Sequence, residues 1–177
     1  MRIVGGIYRS RVLYSFDGDD IRPTADKVRE SIFNILRPKV EGAKFLDLFC
    51  GTGAIGIEAL SRGAESAVFN DLNRTSIALT KKNLEKLKIE YGIKVVCSDA
   101  ISFLKNTQEK FDIVYIDPPY KSDLGLKALS EVASVLSEDG IAVFEDEKPF
   151  QREICGLKEY DSRKYGRVFL TFFKKEE

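Results

Sequence analysis

The chain contains no histidine. That absence removes Ser-His-Asp and Cys-His nucleophile systems, histidine-ligated zinc and proximal-histidine haem. Cysteine is scarce as well. Cys50, Cys97 and Cys155 lie far apart and form no C-x-x-C pair. This excludes a zinc ribbon and a disulfide framework, and predicts reduced, mostly buried thiols in a cytoplasmic protein. No set of metal ligands is read from the chain. No apolar run approaches the roughly 18–20 residues that cross a bilayer, so no membrane partner is expected. Met1–Gly6 also lacks the apolar core of a signal peptide. The chemistry must therefore come from carboxylates, backbone groups, aromatic rings or a cofactor.

Net charge is likewise zero, 28 basic against 28 acidic residues, but it is segregated. Residues 1–40 carry a balance of +3, residues 41–147 of −6, and residues 148–177 of +3. An acidic middle between two basic ends points to polyanion contact at the ends. With 177 residues, 44% of them hydrophobic and 32% charged, the chain is long enough for one globular domain with a substantial core.

The middle alternates strand and helix signals. Strands are predicted at 44–48, 66–71, 93–97, 111–116 and 140–145, and helices at 53–62, 74–90, 99–107 and 123–136. Such alternation implies βαβ units and a parallel sheet covered on both faces. Residues 2–16 are β-like around Gly5-Gly6. An amphipathic helix is predicted over 25–37, capped by Thr24 and stopped before Pro38. Residues 166–174 read as a strand apolar on both faces, hence one buried within the sheet. Residues 145–150 read as a turn, and 145–165 otherwise carry no clear signal.

Two constellations carry chemistry. Asp47-Leu48-Phe49-Cys50-Gly51-Thr52-Gly53-Ala54-Ile55-Gly56 follows a strand and opens a helix. Its glycines permit a tight turn and let a ligand approach the backbone, and Asp71 ends the next strand where a carboxylate meets ribose hydroxyls. Gly51–Gly56 also matches the dinucleotide pattern G-x-G-x-x-G, so a nicotinamide cofactor stays open. Asp47 favours S-adenosylmethionine, since a carboxylate there suits an ammonium group and repels a pyrophosphate. The second constellation is Asp117-Pro118-Pro119-Tyr120, at the end of the fourth strand. The prolines fix the turn and remove two donors. The Asp117 carboxylate and the Pro118 carbonyl become two acceptors for an exocyclic amino group, with Tyr120 as a stacking face for the base.

These two motifs resemble those of the class I, amino-directed nucleic-acid methyltransferases. The segments Arg2–Leu13 and Arg22–Asn34 are similar to the signature of the RsmD-type family, bacterial methyltransferases of guanine N2 in small-subunit (16S) ribosomal RNA. The resemblance runs from Arg2 to about Phe173. It departs at Ser10, where glycine is common, and at Asp71, where glutamate is. It implies a Rossmann-like α/β fold, a mostly parallel seven-stranded sheet with helices on both faces. Residues 1–40 would be a small basic N-terminal extension and 41–177 the methyltransferase domain.

The resemblance further implies S-adenosylmethionine held by Asp47, Phe49, Gly51, Gly53, Asp71, Leu72, Asp99 and Ala100, with Asp99 bonding the adenine amino group. Asp117, Pro118, Pro119 and Tyr120 would form the catalytic turn. Arg2, Arg9, Arg11, Arg22, Lys27 and Arg29 cluster without regular spacing, which fits an irregular RNA surface. The partner expected is the small-subunit ribosomal RNA, within the assembled or assembling subunit, and the protein a monomer. A DNA adenine-N6 methyltransferase and a non-catalytic RNA-binding assembly factor remain alternatives.

Overall fold

In the computed structural model, residues 1–16, 23–119 and 123–176 are described. Helix α1 (Pro23–Val40) precedes strand β1 (Lys44–Asp47), and the chain then alternates. In order come α2 (Ala54–Ser61), β2 (Ser66–Asp71), α3 (Arg74–Lys86), β3 (Ile93–Cys97), α4 (Ala100–Asn106), β4 (Phe111–Ile116) and α5 (Leu124–Val132). Three strands close the chain: β5 (Leu136–Asp146), β6 (Leu157–Tyr165) and β7 (Val168–Lys175).

The strands form one sheet in the order β3-β2-β1-β4-β5-β7-β6. Pairing is parallel from β3 through β5, while β7 runs antiparallel to both β5 and β6. The sheet is therefore mixed, with β7 alone reversed. Its two faces bury separate cores. Phe45, Ile113, Tyr115, Val143 and Phe172 pack with α1, α2 and α3 on one side. Leu46, Val114, Ile116, Phe144 and Phe173 pack with α4 and α5 on the other. Alternate residues of each strand thus serve opposite cores, as a sheet covered on both faces requires.

The strands predicted at 66–71, 93–97 and 111–116 have those bounds in the structure. Several other expectations are corrected. Pro23 starts α1, so Thr24 lies inside the first turn rather than capping it; the fixed φ of proline suits that opening position. The helix also runs past Pro38 to Val40, whose burial offsets the backbone bond that proline cannot donate. Helix α3 stops at Lys86, not at residue 90. Lys88 turns left-handed (φ 56°), its N–H reaches Glu85 O, and the N–H of Ile89 reaches Leu84 O, folding buried Ile89 back onto the core.

Helix α5 ends at Val132, and Leu136 opens β5 opposite Phe111. Strand β5 continues through Asp146, so Glu145 is a strand residue rather than the start of a turn. Residues 157–165 form β6, an edge strand that is mostly exposed and hence lacks apolar alternation. Of the three thiols only Cys50 is buried; Cys97 and Cys155 are exposed, each beside or beyond a strand end.

Residues 2–16 form a loop, not a strand, joined by an isolated bridge between Arg2 and Val12. What fixes this loop is Glu58 of α2, fully buried. Its carboxylate accepts from the N–H groups of Val4 (2.8 Å) and Gly5 (2.7 Å) and from Arg62 Nε (2.8 Å). Arg29 Nε lies 3.5 Å away, and its Nη2 donates to Asp26 and to the carbonyl of Arg2. Gly6 passes so close to Ser61 O that a Cβ would sit 1.7 Å from it, and φ there is 75°. Ile3, Leu13, Val28, Ile32 and Phe33 then join the same core as α2 and β1.

Replacing Glu58 by alanine strips two backbone donors and the Arg62 guanidinium of their acceptor and removes a carboxylate paired with buried Arg29. The expected loss is about 3–5 kcal/mol, read as a lower urea midpoint, with faster proteolysis ahead of α1. A change below about 1 kcal/mol would mean that the loop is held by its apolar contacts alone.

Candidate functional site

Strand order reverses between β1 and β4, and the crevice outside their carboxyl ends is where open α/β sheets bind ligands. Two cavities meet there. The first, about 710 Å³, is lined by Phe49, Gly51, Asn70, Asp71, Leu72, Asp99, Ala100, Asp117, Pro118 and Pro119 among others. The second, about 690 Å³, is lined by Met1, Arg29, Asp47, Phe49, Gly51, Tyr115, Asp117, Glu145, Tyr165 and Arg167 among others. Phe49, Gly51 and Asp117 belong to both.

The glycine turn builds the wall of the first cavity. Gly53 takes φ 78° at the start of α2 and packs against Thr80, where a Cβ would lie 2.8 Å from the Thr80 methyl. Gly51 N–H donates to Asp71 Oδ2 at 2.9 Å, and the other Asp71 oxygen accepts from Asn73 N–H at 2.8 Å. Asp71 is thereby fixed with its edge on the cavity. Asp99 caps α4 by accepting from Ser102 N–H at 2.9 Å. Asn70, fully buried, donates through Nδ2 to Leu48 O (3.1 Å) and Ser98 O (3.2 Å), tying together the ends of β1 and β3. Its Oδ1 is buried with no hydrogen-bond donor among the described residues.

Carboxylates dominate the second cavity. Asp47 is 2% exposed and accepts from Gly56 N–H at 3.0 Å. Burial pushes its pKa up to about 7, the Gly56 N–H works against that rise, and the charge of Asp71 adds to it. Asp117 is pushed well above the usual carboxylate range by burial first, then by Glu145 and Asp47. Glu145 is also raised by burial, an effect partly offset by the hydroxyl of Tyr115, which donates to Glu145 Oε2. Three carboxyl groups held out of water in this way favour a ligand that brings positive charge or hydrogen-bond donors. Behind Pro118 the backbone of Gly125 leaves no room for a side chain; a Cβ there would lie 2.5 Å from the proline ring.

The structure gathers Phe49, Gly51, Asp71, Leu72, Asp99 and Ala100 in the first cavity with Asp117, Pro118 and Pro119. Asp47 faces the second cavity instead, and Gly53 shapes the turn without lining either. Tyr120 and Arg22 lie outside the described residues. Arg2, Arg9, Arg11 and Lys27 are exposed. Arg29 is not available as an RNA contact: it is 4% exposed and engaged by Asp26 and Glu58. A basic residue in the first turns of an amphipathic helix reads as solvated until the buried carboxylate opposite it is known. Sequence reasoning also missed Glu145, Tyr115 and Asn70. The only available signal was position, since each lies at or near the carboxyl end of a strand on the sheet's ligand edge.

Fold and site together define a class I methyltransferase. More closely, the chain belongs to the RsmD-type methyltransferase family, whose model, described as Conserved hypothetical protein 95, matches residues 1–174. The Ribosomal RNA small subunit methyltransferase D of Escherichia coli K12 is 41% identical over 140 residues, 79% of this chain and 68% of that protein. The YlbH protein of Bacillus subtilis is 35% identical over 182 residues, 99% of each chain. The solved structure of yhhF from Escherichia coli matches with a TM-score of 0.88 at 31% identity, covering 100% of this chain and 98% of that one.

An acid whose folded pKa is raised stabilises the fold below its unfolded value and loses that contribution as pH rises through the folded value. For Asp47 the window runs from its ordinary 3.8 to about 7. Asp47→Asn keeps the acceptor for Gly56. Between pH 4 and 7.5 it should gain stability over the native protein, on the order of 4 kcal/mol in total, in urea melts. Parallel curves for the two proteins would show that the carboxyl titrates normally.

Proposed function

We propose that the protein transfers a methyl group from S-adenosylmethionine to the exocyclic N2 amino group of a guanine in small-subunit ribosomal RNA. The observation that carries this reading is the junction of the two cavities at Asp117, Phe49 and Gly51. The adenosine of the donor in the first cavity, and its methionine end beside an acceptor base in the second, are then within reach of one carboxylate. The relatives named as small-subunit ribosomal RNA methyltransferases support the substrate.

The residues present fit the cofactor. Asp71 suits ribose hydroxyls, Asp99 and Ala100 the adenine, and Asp47 the ammonium. Leu72, Phe49 and the Gly51 and Gly53 backbone complete this set. When bound, the cofactor supplies an electrophilic methyl group on a sulfonium. The chain's own part is to orient the attacking nitrogen. Asp117 and the Pro118 carbonyl accept from its two N–H groups, favouring pyramidal geometry and freeing the lone pair. No strong base is needed, because the nitrogen becomes acidic only as the new bond forms. Pro118 and Pro119 hold the turn, and Tyr120 stacks on the base, which must leave its own stack to enter.

Residues 1–40 form the RNA-facing extension of a methyl-transfer unit spanning 41–177. Arg2, Arg9, Arg11, Arg22 and Lys27 contact phosphates of the assembled or assembling small subunit in the cytoplasm. The protein acts as a monomer. Among the described residues no helix is long and apolar enough to cross a membrane.

Labelled cofactor incubated with small-subunit particles, free ribosomal RNA and DNA tests the reading. Label should appear as N2-methylguanosine in ribosomal RNA; label in DNA alone would overturn it. Asp117→Ala should abolish transfer and leave cofactor affinity within about threefold by calorimetry, as expected for a group meeting only the acceptor. Because Asp47 must be ionised to hold an ammonium, cofactor affinity should rise as pH climbs through about 7. Asp47→Asn should flatten that rise.

A further inference from the structure

Glu145 lies in the second cavity at a position that bears on which base is accepted. In the parallel ladder Tyr115 pairs with Val143 and Ile116 with Phe144, so Asp117 and Glu145 are the next neighbours across β4 and β5. Tyr115 and Val143 face one core and Ile116 and Phe144 the other. Alternation therefore puts Asp117 and Glu145 on the same face as Tyr115, about 5 Å apart in the backbone. Both line the cavity, and Glu145 is 9% exposed.

Tyr115 occupies one oxygen of Glu145 by donating to Oε2. A buried carboxylate needs more than one donor to stay ionised. Its remaining oxygen and the Asp117 carboxylate are adjacent acceptors on one wall. Guanine presents two adjacent donors on its Watson–Crick edge, the N2 amino group and N1–H. Adenine and 2-aminopurine carry a bare lone pair at N1, which a carboxylate would repel.

We infer that Glu145 accepts the N1–H of the target guanine beside the amino group held at Asp117, and so selects guanine over bases with an unprotonated N1. Tyr115 is the positioning residue, since its hydroxyl holds the carboxylate against the strand with one oxygen free. The inference rests on the amino-transfer reading above and adds to it the basis of base choice.

The test compares guanine with 2-aminopurine, which keeps the reactive 2-amino group and lacks N1–H. Small-subunit particles are rebuilt on ribosomal RNA in which the methylated guanine, once located by mass spectrometry, is replaced through splinted ligation. The native protein should favour guanine by at least about tenfold in kcat/KM. In Glu145→Gln the Tyr115 hydroxyl should hold the amide oxygen and leave the amide N–H₂ facing the base. The guanine preference should then collapse by at least about tenfold, with 2-aminopurine gaining. In Tyr115→Phe combined with Glu145→Gln the amide is free to turn, and part of the guanine preference should return. The ratio is taken within each variant, so a loss of folded protein cancels. An unchanged ratio in Glu145→Gln overturns the inference while the amino-transfer reading stands. If the native protein methylates no guanine in the particle, both fall.

Discussion

A parallel ladder makes every strand arrive at the same edge, and the functional surface of this protein depends on that constraint. Strands β1, β2 and β4 end at or just before Asp47, Asp71 and Asp117, β5 ends one residue past Glu145, and β3 is followed by Asp99. Lateral pairing therefore lines up carboxylates that lie up to 98 positions apart in the chain. Hydrogen bonds along the ladder fix their order, and alternation fixes which face each occupies. Asp47, Asp117 and Glu145 share one face and one cavity. Burial raises all three, the charges of Glu145 and Asp47 add to the rise at Asp117, and that of Asp71 adds to the rise at Asp47, a cost that ligand groups of opposite character relieve.

A second buried carboxylate has a different task. Glu58 lines neither of the two cavities; it gathers the N-terminal loop and α2 by accepting from the Val4 and Gly5 N–H groups and from Arg62, with the Arg29 guanidinium of α1 paired to it at 3.5 Å. Without that acceptor the N–H groups of Val4 and Gly5 would lose their partner, whereas other N–H groups of the loop are met by Ser61, Asn83 and the loop's own carbonyls. Met1 and Arg29 consequently form part of the second cavity. The N-terminal segment is structural support for the site as well as a carrier of exposed cations.

Legibility in the sequence followed local apolar runs rather than burial, since β3 read clearly although none of its residues is fully buried. Residues 66–71, 93–97 and 111–116 are apolar runs between turn signals and read as strands at their observed bounds. The edge strand β6 has Lys158, Glu159, Arg163 and Lys164 on it and offered no such pattern. Helix ends were misplaced where local signals competed with packing. Val40 draws α1 past Pro38, and buried Ile89 ends α3 early. Motif residues such as Asp117 and Gly51 were legible because their neighbours in sequence are also their neighbours in space. Glu145 was not, since its partners Tyr115 and Asp117 come from another strand.

The sequence alone determined the alternating α/β order, the glycine turn, the Asp-Pro-Pro turn and the absence of imidazole chemistry, because each is a local property of residue type and spacing. Tertiary structure decided which carboxylates meet. It made Arg29 a buried partner of Glu58 rather than a surface cation, and it set Glu145 beside Asp117 with Tyr115 holding it. Those outcomes depend on strand register and on burial, and burial changes the energy of a charge far more than any neighbour in sequence does.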